Sequence, residues 1–338
     1  MAFPATGTKD ESRSVITRRA ALAGSLGLSA MSATAQVLDR PVTLVAPFSA
    51  GGAADLAARI FAAHAPRHMG TPPQPVIVEN RTGASGSIGT HYVARARPDG
   101  HTLLLARLGS SAILPAIDPR TPYTIEDFTW LALLDENPFV ICVRTDAPWA
   151  DLRALLDAIR AAPGTLNFAT SGPATILDLG IRHMLVSANL PIDAAQALPF
   201  RGGGEALTAL LGGHAQFVGN NLGDMLGAIQ QGQVRALLVS GDARLPSLPG
   251  VPTAAEAGLP ALSALAGWNA LAAPANLPEP VLEFLVRVAR ATTQDAEWLT
   301  ATRRTGSVPR FLDGAATRAH VEAQIALYRN LARRLNLG

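Results

Sequence analysis

A glycine-containing turn near the start of the chain has the residue types of an anion-binding site. It comprises Phe48, Ser49, Ala50, Gly51 and Gly52. The apolar run 42–46 before it predicts a buried strand, and the apolar spacing after it predicts a helix. Free main-chain N–H groups at a helix start attract a carboxylate or phosphate. An ordinary tight turn would look the same. Asp55 caps or supports this helix, where the dipole favours an acid, and is kept as a candidate ligand-binding residue.

Arg201 is the charged residue best placed for ligand binding. It follows the strand predicted over 195–200 and precedes the three glycines 202–204. A guanidinium in that position can bind a carboxylate through two parallel hydrogen bonds. The alternative is a solvated loop arginine.

The sequence gives little support for catalysis or for a metal site. Neither the H-E-x-x-H zinc motif nor the G-x-S-x-G nucleophile motif occurs in the 338 residues. His64 and His68 are spaced i, i+4 on a predicted helix, but no carboxylate completes the site. We therefore expect solvated helix histidines. A Ser/His/Asp triad assembled only in space stays open.

Three glycines raise the alternative of dinucleotide binding. Gly83, Gly86 and Gly89 lie between a predicted strand and a predicted helix, but their spacing is G-x-x-G-x-x-G rather than G-x-G-x-x-G. Asp99, the acid near the expected distance, precedes a strand instead of ending one. We therefore predict no cofactor.

Composition excludes several further classes of protein. The chain has 338 residues, which suits two domains, and Lys9 is its only lysine, so the mature chain has neither a Schiff-base nor a P-loop lysine. Removing the leader leaves 24 basic and 24 acidic residues. This balance of charge, together with the lack of a basic stripe, argues against nucleic acid or an anionic membrane surface as the binding partner. Cys142 is the single cysteine, which excludes an intramolecular disulfide.

The first 35 residues read as an export signal. Four basic residues precede the small apolar stretch 20–30, and a small-residue pattern predicts cleavage near Ala35 and Gln36. The segment 17–22 resembles a twin-arginine (Tat) signal, although Ala21 stands where a bulkier residue is usual, so the Sec route stays open. Later apolar runs are interrupted before the ~20 residues that a membrane span requires. We expect a periplasmic protein without a membrane span in its mature chain.

Strand, polar or glycine turn, and helix alternate along the mature chain, which predicts an α/β fold. Predicted strands lie at 42–46, 75–79, 101–106, 166–169, 195–200, 216–219 and 236–240, and predicted helices at 149–162, 176–188, 206–211, 222–230, 280–291 and 319–335. Apolar runs within 131–143, split at 135–138, and the proline-rich stretch 245–252 predict two crossings between domains. Lobe 1 is predicted over 36–142 and 243–338, and lobe 2 over 143–242. Polar turns at strand ends then face a common cleft.

Several long blocks of the sequence resemble the Bug (TctC-like) receptors of tripartite tricarboxylate transporters. The blocks cover 42–55, 76–89 and 98–104, and shorter ones follow at 163–168, 210–213, 234–237 and 249–258. The resemblance extends over nearly the whole mature chain. It implies a two-lobed periplasmic-binding-protein fold (type II-like), with two open sheets flanked by helices and a ligand cleft between the lobes.

The resemblance also implies a ligand, a partner and site residues. The receptor would close on a small organic carboxylate and present it to membrane permease subunits, and we expect it to be a monomer without cofactor, metal or catalysis. The turn 48–52 would meet a carboxylate, and the matching second-lobe positions are Ser171, Gly172, Phe200, Arg201, Asn220 and Asn221. Ser85 and Ser110, small polar residues of two further turns, are predicted to face the same cleft.

The chain departs from the family pattern where ligand specificity is expected. Phe200-Arg201-Gly202 stands where Tyr-Lys-Gly is common, and Gln216 stands where an acid is common. The distal pocket is therefore predicted to be less polar, which favours a mono- or dicarboxylate with an apolar or aromatic body over citrate. Two alternatives stay open: a sensor docking on a two-component system, and an exported hydrolase with a cleft serine.

Overall fold

Buried apolar runs form the strands of a mixed sheet in the computed structural model, which describes Met1 and residues 37–334. The strands are β1 Val42–Ala46, β2 Val76–Asn80, β3 Thr102–Arg107, β4 Phe128–Arg144, β5 Asn167–Thr170, β6 Gln196–Pro199, β7 Phe217–Asn221, β8 Val234–Val239, β9 Ala266–Pro274 and β10 Val308–Asp313. The predicted leader 1–35 and its cleavage position lie outside the described residues.

Helices connect most of the strands. They are α1 Ala53–His64, α2 Ser87–Ala94, α3 Leu114–Ile117, α4 Leu152–Ala161, α5 Ile176–Ser187, α6 Gly203–Leu211, α7 Leu222–Gln230, α8 Glu279–Gln294, α9 Ala296–Arg304 and α10 Gly314–Arg334. Within the described part of the chain, none combines the length and the apolar character needed to cross a bilayer.

The sheet has two parallel ends and an antiparallel middle. Its order is β2-β1-β3-β9-β4-β7-β5-β6, and β8 and β10 also pair with β4. Strands β2, β1 and β3 are mutually parallel, as are β7, β5 and β6, whereas β4 and β9 run antiparallel to their neighbours. The two predicted sheets therefore exist, but β4 joins them into one. The predicted boundaries of the two lobes stay a prediction.

Strand β4 lies in the antiparallel middle of the sheet and joins its two parts without a break. Residues 128–138 pair with β9, and the last six residues pair with β7 and β8. The polar residues at 135–138 split the apolar run but do not end the strand, because the Asp135 and Asn137 side chains are buried and hydrogen-bonded to each other. The crossing between domains predicted there stays a prediction. Strand β9 was not predicted, since its sequence is rich in alanine, which is uncommon in strands.

The side chains of three neighbouring strands form a buried polar row. Arg107 of β3 lies opposite Asn269 of β9, which lies opposite Asp135 of β4. The Arg107 guanidinium donates to Asn269 Oδ1, and Asn269 Nδ2 donates to Asp135 Oδ1 at 2.7 Å. Burial raises the pKa of Asp135 to about 6, although hydrogen bonds from Asn269 and the charge of Arg107 oppose the rise.

The phenyl ring of Phe139 on β4 packs directly against glycine backbone. A Cβ atom added to Gly180 of α5 would lie 2.5 Å from Phe139 Cζ, whereas one added to Gly227 of α7 would meet no atom within 4 Å. Because Phe139 is fully buried, its ring has no room to move aside.

We expect Gly180→Ala and Gly227→Ala to change stability in opposite directions. Both replace a helical glycine and gain up to about 1 kcal/mol of helix propensity, but only Gly180→Ala overpacks Phe139, which costs about 1–3 kcal/mol. Urea unfolding at constant pH measures both. Equal stabilisation by the two substitutions would contradict the packing described for Phe139.

Asp135 gives the protein a specific pH dependence. The carboxyl group of Asp135 binds its proton more tightly in the folded state than in the unfolded chain. Protonation of Asp135 therefore stabilises the fold fully below about pH 4, and this stabilisation is lost as pH rises through about 6. The free energy of unfolding of Asp135→Asn, relative to wild type, should rise over this window by up to about 3 kcal/mol. Urea unfolding at several pH values tests this, with Asp193→Asn as the control for an exposed aspartate. A difference that does not change with pH would be the contrary result.

Candidate functional site

The turn between β1 and α1 is held by side chains of its own helix. Gly51 takes a positive φ of 78°, which glycine adopts without strain, and its N–H donates to Asp55 Oδ2 at 2.9 Å. Arg59 Nε donates to the same oxygen at 2.8 Å. Burial would raise the pKa of Asp55, but the hydrogen bonds from Arg59 and Gly51 outweigh it and the pKa is lowered. Asp55 therefore supports the turn as an anion.

A carboxylate from elsewhere in the chain occupies the start of α1. Asp224 of α7 accepts a hydrogen bond from Ala53 N, with 2.6 Å between Ala53 N and Asp224 Oδ1. Asp224 is partly buried, and desolvation raises its pKa even though the Ala53 N–H and the charge of Arg107 act in the opposite direction. The predicted anion-binding turn is thus in contact with an acid of the predicted second lobe.

Two further contacts join the predicted lobes. A Cβ atom at Gly202 would overlap the Ser49 hydroxyl and lie 3.0 Å from Ser49 N. Ser85 Oγ donates to Pro173 O at 2.6 Å, beside Gly172. The turns that carry Ser49 and Ser85 therefore pack closely against the turns after β5 and β6.

A cavity of about 30 Å³ lies where these segments meet, which is room for one or two water molecules. It is lined by Phe48, Gly52, Ala53, Ala54, Arg107, Leu108, Gly109, Ser171, Thr175, Ile176, Leu177, Gly203, Asn221, Asp224 and Gly267. Four helices, α1, α5, α6 and α7, have residues of their first turn in this lining. Helix starts carry partial positive charge, so their convergence favours an anion.

The predicted site residues divide between the cavity and its surroundings. Phe48, Gly52, Ser171 and Asn221 line it. Ser49, Ser110, Gly172 and Asn220 are buried but do not line it, and Ala50, Gly51 and Arg201 are exposed. Phe200, Ser85 and Asp55 also lie outside the lining. Asn220 supports the site, because its Nδ2 donates to Gly203 O at 3.1 Å and its Oδ1 accepts from Asn221 N at 2.8 Å.

Arg107 and Asp224 are the charged residues of the cavity, and sequence reasoning found neither. Arg107 is 6% exposed, and burial lowers its pKa while the charges of Asp224 and Asp135 oppose the change. The sequence does contain a signal for Arg107: like Arg201, it lies at the end of an apolar strand. Asp224 gave no such signal, since an acid in a first helical turn is common.

The cleft serines show no pairing with histidine among the hydrogen bonds of residues 37–334. Ser171 Oγ donates to Thr175 Oγ1 at 3.1 Å, and Thr175 Oγ1 donates to Gly172 O at 2.8 Å. Ser49 Oγ and Asn221 Oδ1 are buried without a hydrogen-bond partner within that range. Asn221 lines the cavity, so its Oδ1 can accept a hydrogen bond from a polar ligand.

His64 and His68 belong to a separate charged cluster that does not line the cavity. Carboxylates from α9 and its start lie near them: Glu297 Oε2 is 3.9 Å from His64 Nδ1, and Asp295 Oδ2 is 3.5 Å from His68 Nε2. Arg67 donates to both acids, at 2.9 and 3.1 Å. The expectation that no carboxylate accompanies these histidines is therefore wrong, because α9 brings two acids to them through tertiary packing. Arg67 offsets one of the two negative charges, and the cluster is an ion-pair network.

Comparison with known proteins gives the family. The family model described as "Tripartite tricarboxylate transporter family receptor", TctC, matches residues 58–335. Three solved structures share the fold. The periplasmic binding protein BugD is 27% identical, with a TM-score of 0.83 over 89% of this chain and 99% of that one.

The other two structures contain dicarboxylates. MatC from Rhodopseudomonas palustris with bound malate is 30% identical, with a TM-score of 0.80 over 86% of this chain and 98% of that one. An R. palustris protein with adipate is 28% identical, with a TM-score of 0.83 over 88% of this chain and 98% of that one. These similarities confirm the predicted two-lobed periplasmic-binding-protein fold and the resemblance to the Bug receptors. The chain belongs to the tripartite tricarboxylate transporter receptor (TctC) family.

Proposed function

We propose that this chain is a periplasmic solute-binding receptor that closes on a small carboxylate and delivers it to the permease subunits of a tripartite tricarboxylate transporter. The convergence of four helix starts and the buried Arg107 on one cavity carries the proposal. Helix N-termini and a guanidinium both stabilise negative charge, and their effect is strong where water is excluded. The malate and adipate in two related structures support a carboxylate as the ligand class.

The contacts around the cavity support a closing motion. Ser49 with Gly202, Ser85 with Pro173, and Ala53 with Asp224 each join residues that fall in different predicted lobes. Such pairs come apart when two lobes rotate open about their connecting strands, and they reform on closure. A ligand bound between the lobes is then covered on every side.

The ligand is proposed to be less charged than citrate. Asp224 adds a negative charge to the cavity lining, and that charge disfavours the additional carboxylate groups of citrate. A mono- or dicarboxylate with an apolar or aromatic body remains our expectation. Arg201 is exposed, so we place it at the rim, where it can attract the acid before closure.

The export route and the assembly remain expectations from the sequence. We propose that the leader through Ala35 directs export, by the twin-arginine or the Sec route, and that the mature receptor is a monomer. A two-component sensor would use the same ligand cavity, so its partner distinguishes it from a transport receptor.

A thermal-shift screen of the mature protein against small carboxylates tests the receptor function. A ligand that binds only the folded state adds about 2.7 kcal/mol of stability at 100 times its dissociation constant. We expect a clear shift with mono- or dicarboxylates and none with citrate. Absence of a shift with every acid would contradict the proposal, and binding of tricarboxylates alone would contradict the proposed ligand class.

Gly202→Ala should weaken binding by obstructing closure. Its φ of 177° suits any residue, but the new methyl group would collide with Ser49 in the closed form. We expect about a tenfold loss of affinity, or 1.4 kcal/mol, measured by titration calorimetry with the best acid from the screen.

Gly250→Ala is the matched control for this substitution, because a Cβ atom there meets nothing within 4 Å. Its affinity should equal that of the wild type. Unchanged affinity in Gly202→Ala would show that Ser49 and Gly202 do not need to meet when the ligand is bound.

A further inference from the structure

Two amide groups of the first turn are already engaged by carboxylates of the protein itself. Gly51 N donates to Asp55 Oδ2 at 2.9 Å, and Ala53 N donates to Asp224 Oδ1 at 2.6 Å. A ligand carboxylate that used Ala53 N would have to displace Asp224. The closed cavity therefore needs another group to neutralise a bound acid.

Arg107 has the free hydrogen-bonding capacity that the first turn lacks. A guanidinium carries five N–H donors, and within residues 37–334 its side-chain hydrogen bond goes to one acceptor, Asn269 Oδ1. Asp135, the acid of the polar row, accepts from Asn269 and Asn137 instead. Arg107 lines the cavity together with Ile176 and Leu177 at the start of α5.

Asp224 lies in the lining of the same cavity and has the opposite charge. Its Oδ1 accepts from Ala53 N, the Asn221 side chain also hydrogen-bonds to this partly buried carboxylate, and the charges of Asp224 and Arg107 influence each other. A carboxylate accepts hydrogen bonds through both oxygens. Asp224 can therefore accept from a ligand, whereas it repels a second carboxylate placed beside it.

We infer that Arg107 binds the carboxylate of the ligand, and that Asp224 accepts a hydrogen bond from a hydroxyl, amide or ammonium group on the same molecule. This inference rests on the proposed receptor function and specifies its substrate class. The preferred ligand is a small acid whose second polar group is a hydrogen-bond donor. An unsubstituted dicarboxylate binds less well, because one of its two charges faces Asp224 in a site that excludes water.

Acids of one carbon skeleton that differ only in their second group test this inference. Four- and six-carbon acids whose second group is methyl, hydroxyl, ammonium, amide or carboxylate are titrated into the mature protein by calorimetry. In the wild type, the best donor-bearing acid should bind at least tenfold more tightly than the methyl and dicarboxylate members. Equal affinity throughout the series would overturn the role of Asp224.

Two substitutions assign the two ends of the ligand. Arg107→Gln should lower the affinity for every acid at least tenfold. Asp224→Asn should remove the preference for acids with a hydrogen-bond donor and raise the affinity for dicarboxylates. Arg153→Gln, whose side chain is 91% exposed on α4, is the matched control for loss of an arginine. Unchanged affinity in Arg107→Gln would overturn the inference and leave the receptor function intact.

The wild type alone supplies a readout that does not depend on the folding of a variant. The methyl ester of the best acid should bind at least tenfold more weakly, because it cannot form a charged pair with Arg107. An ester that binds as tightly as the acid contradicts the inference. If no acid of either series or of the thermal-shift panel binds, the receptor function itself fails.

Discussion

The hydrogen bond between Ala53 N and Asp224 is the interaction on which the arrangement of the site depends. It joins the first amide of α1 to an acid of α7, 171 positions later in the chain. A helix start left buried without a partner is costly, and a buried carboxylate without one is more so. Each group satisfies the other, which holds the first turn against the second half of the molecule and leaves a small cavity between them.

A buried polar row constrains the charges next to the cavity. Arg107 and Asp135 are buried on neighbouring strands with Asn269 between them. Isolated buried charges are strongly disfavoured, so opposite charges and amides must lie close together. Strand β4 makes this arrangement possible, because it lies beside β9 in the middle of the sheet and places Asp135 opposite Asn269. The sheet therefore positions the polar row, and the row positions the guanidinium.

The sequence predicted the parallel ends of the sheet well and its middle poorly. Strands β1, β5 and β6 lie within a residue or two of their predicted bounds, because short apolar runs bounded by glycine and proline are strong local signals. Strand β9 gave no such signal, since its alanines are uncommon in strands. At the site, Phe48 and Ser171 were predicted and do line the cavity. Arg201 was favoured over Arg107, although both are associated with strand ends, because burial cannot be read from spacing.

The sequence by itself determined the α/β class and the resemblance that the family comparison confirmed. These properties depend on neighbouring residues or on contiguous motifs, so they need no knowledge of distant contacts. Only the tertiary structure decided which charges share the cavity. Asp224 reaches Ala53, and Arg107 reaches Asn269, across 171 and 162 positions respectively. Such pairings are set by strand order and helix packing, which local sequence patterns do not encode.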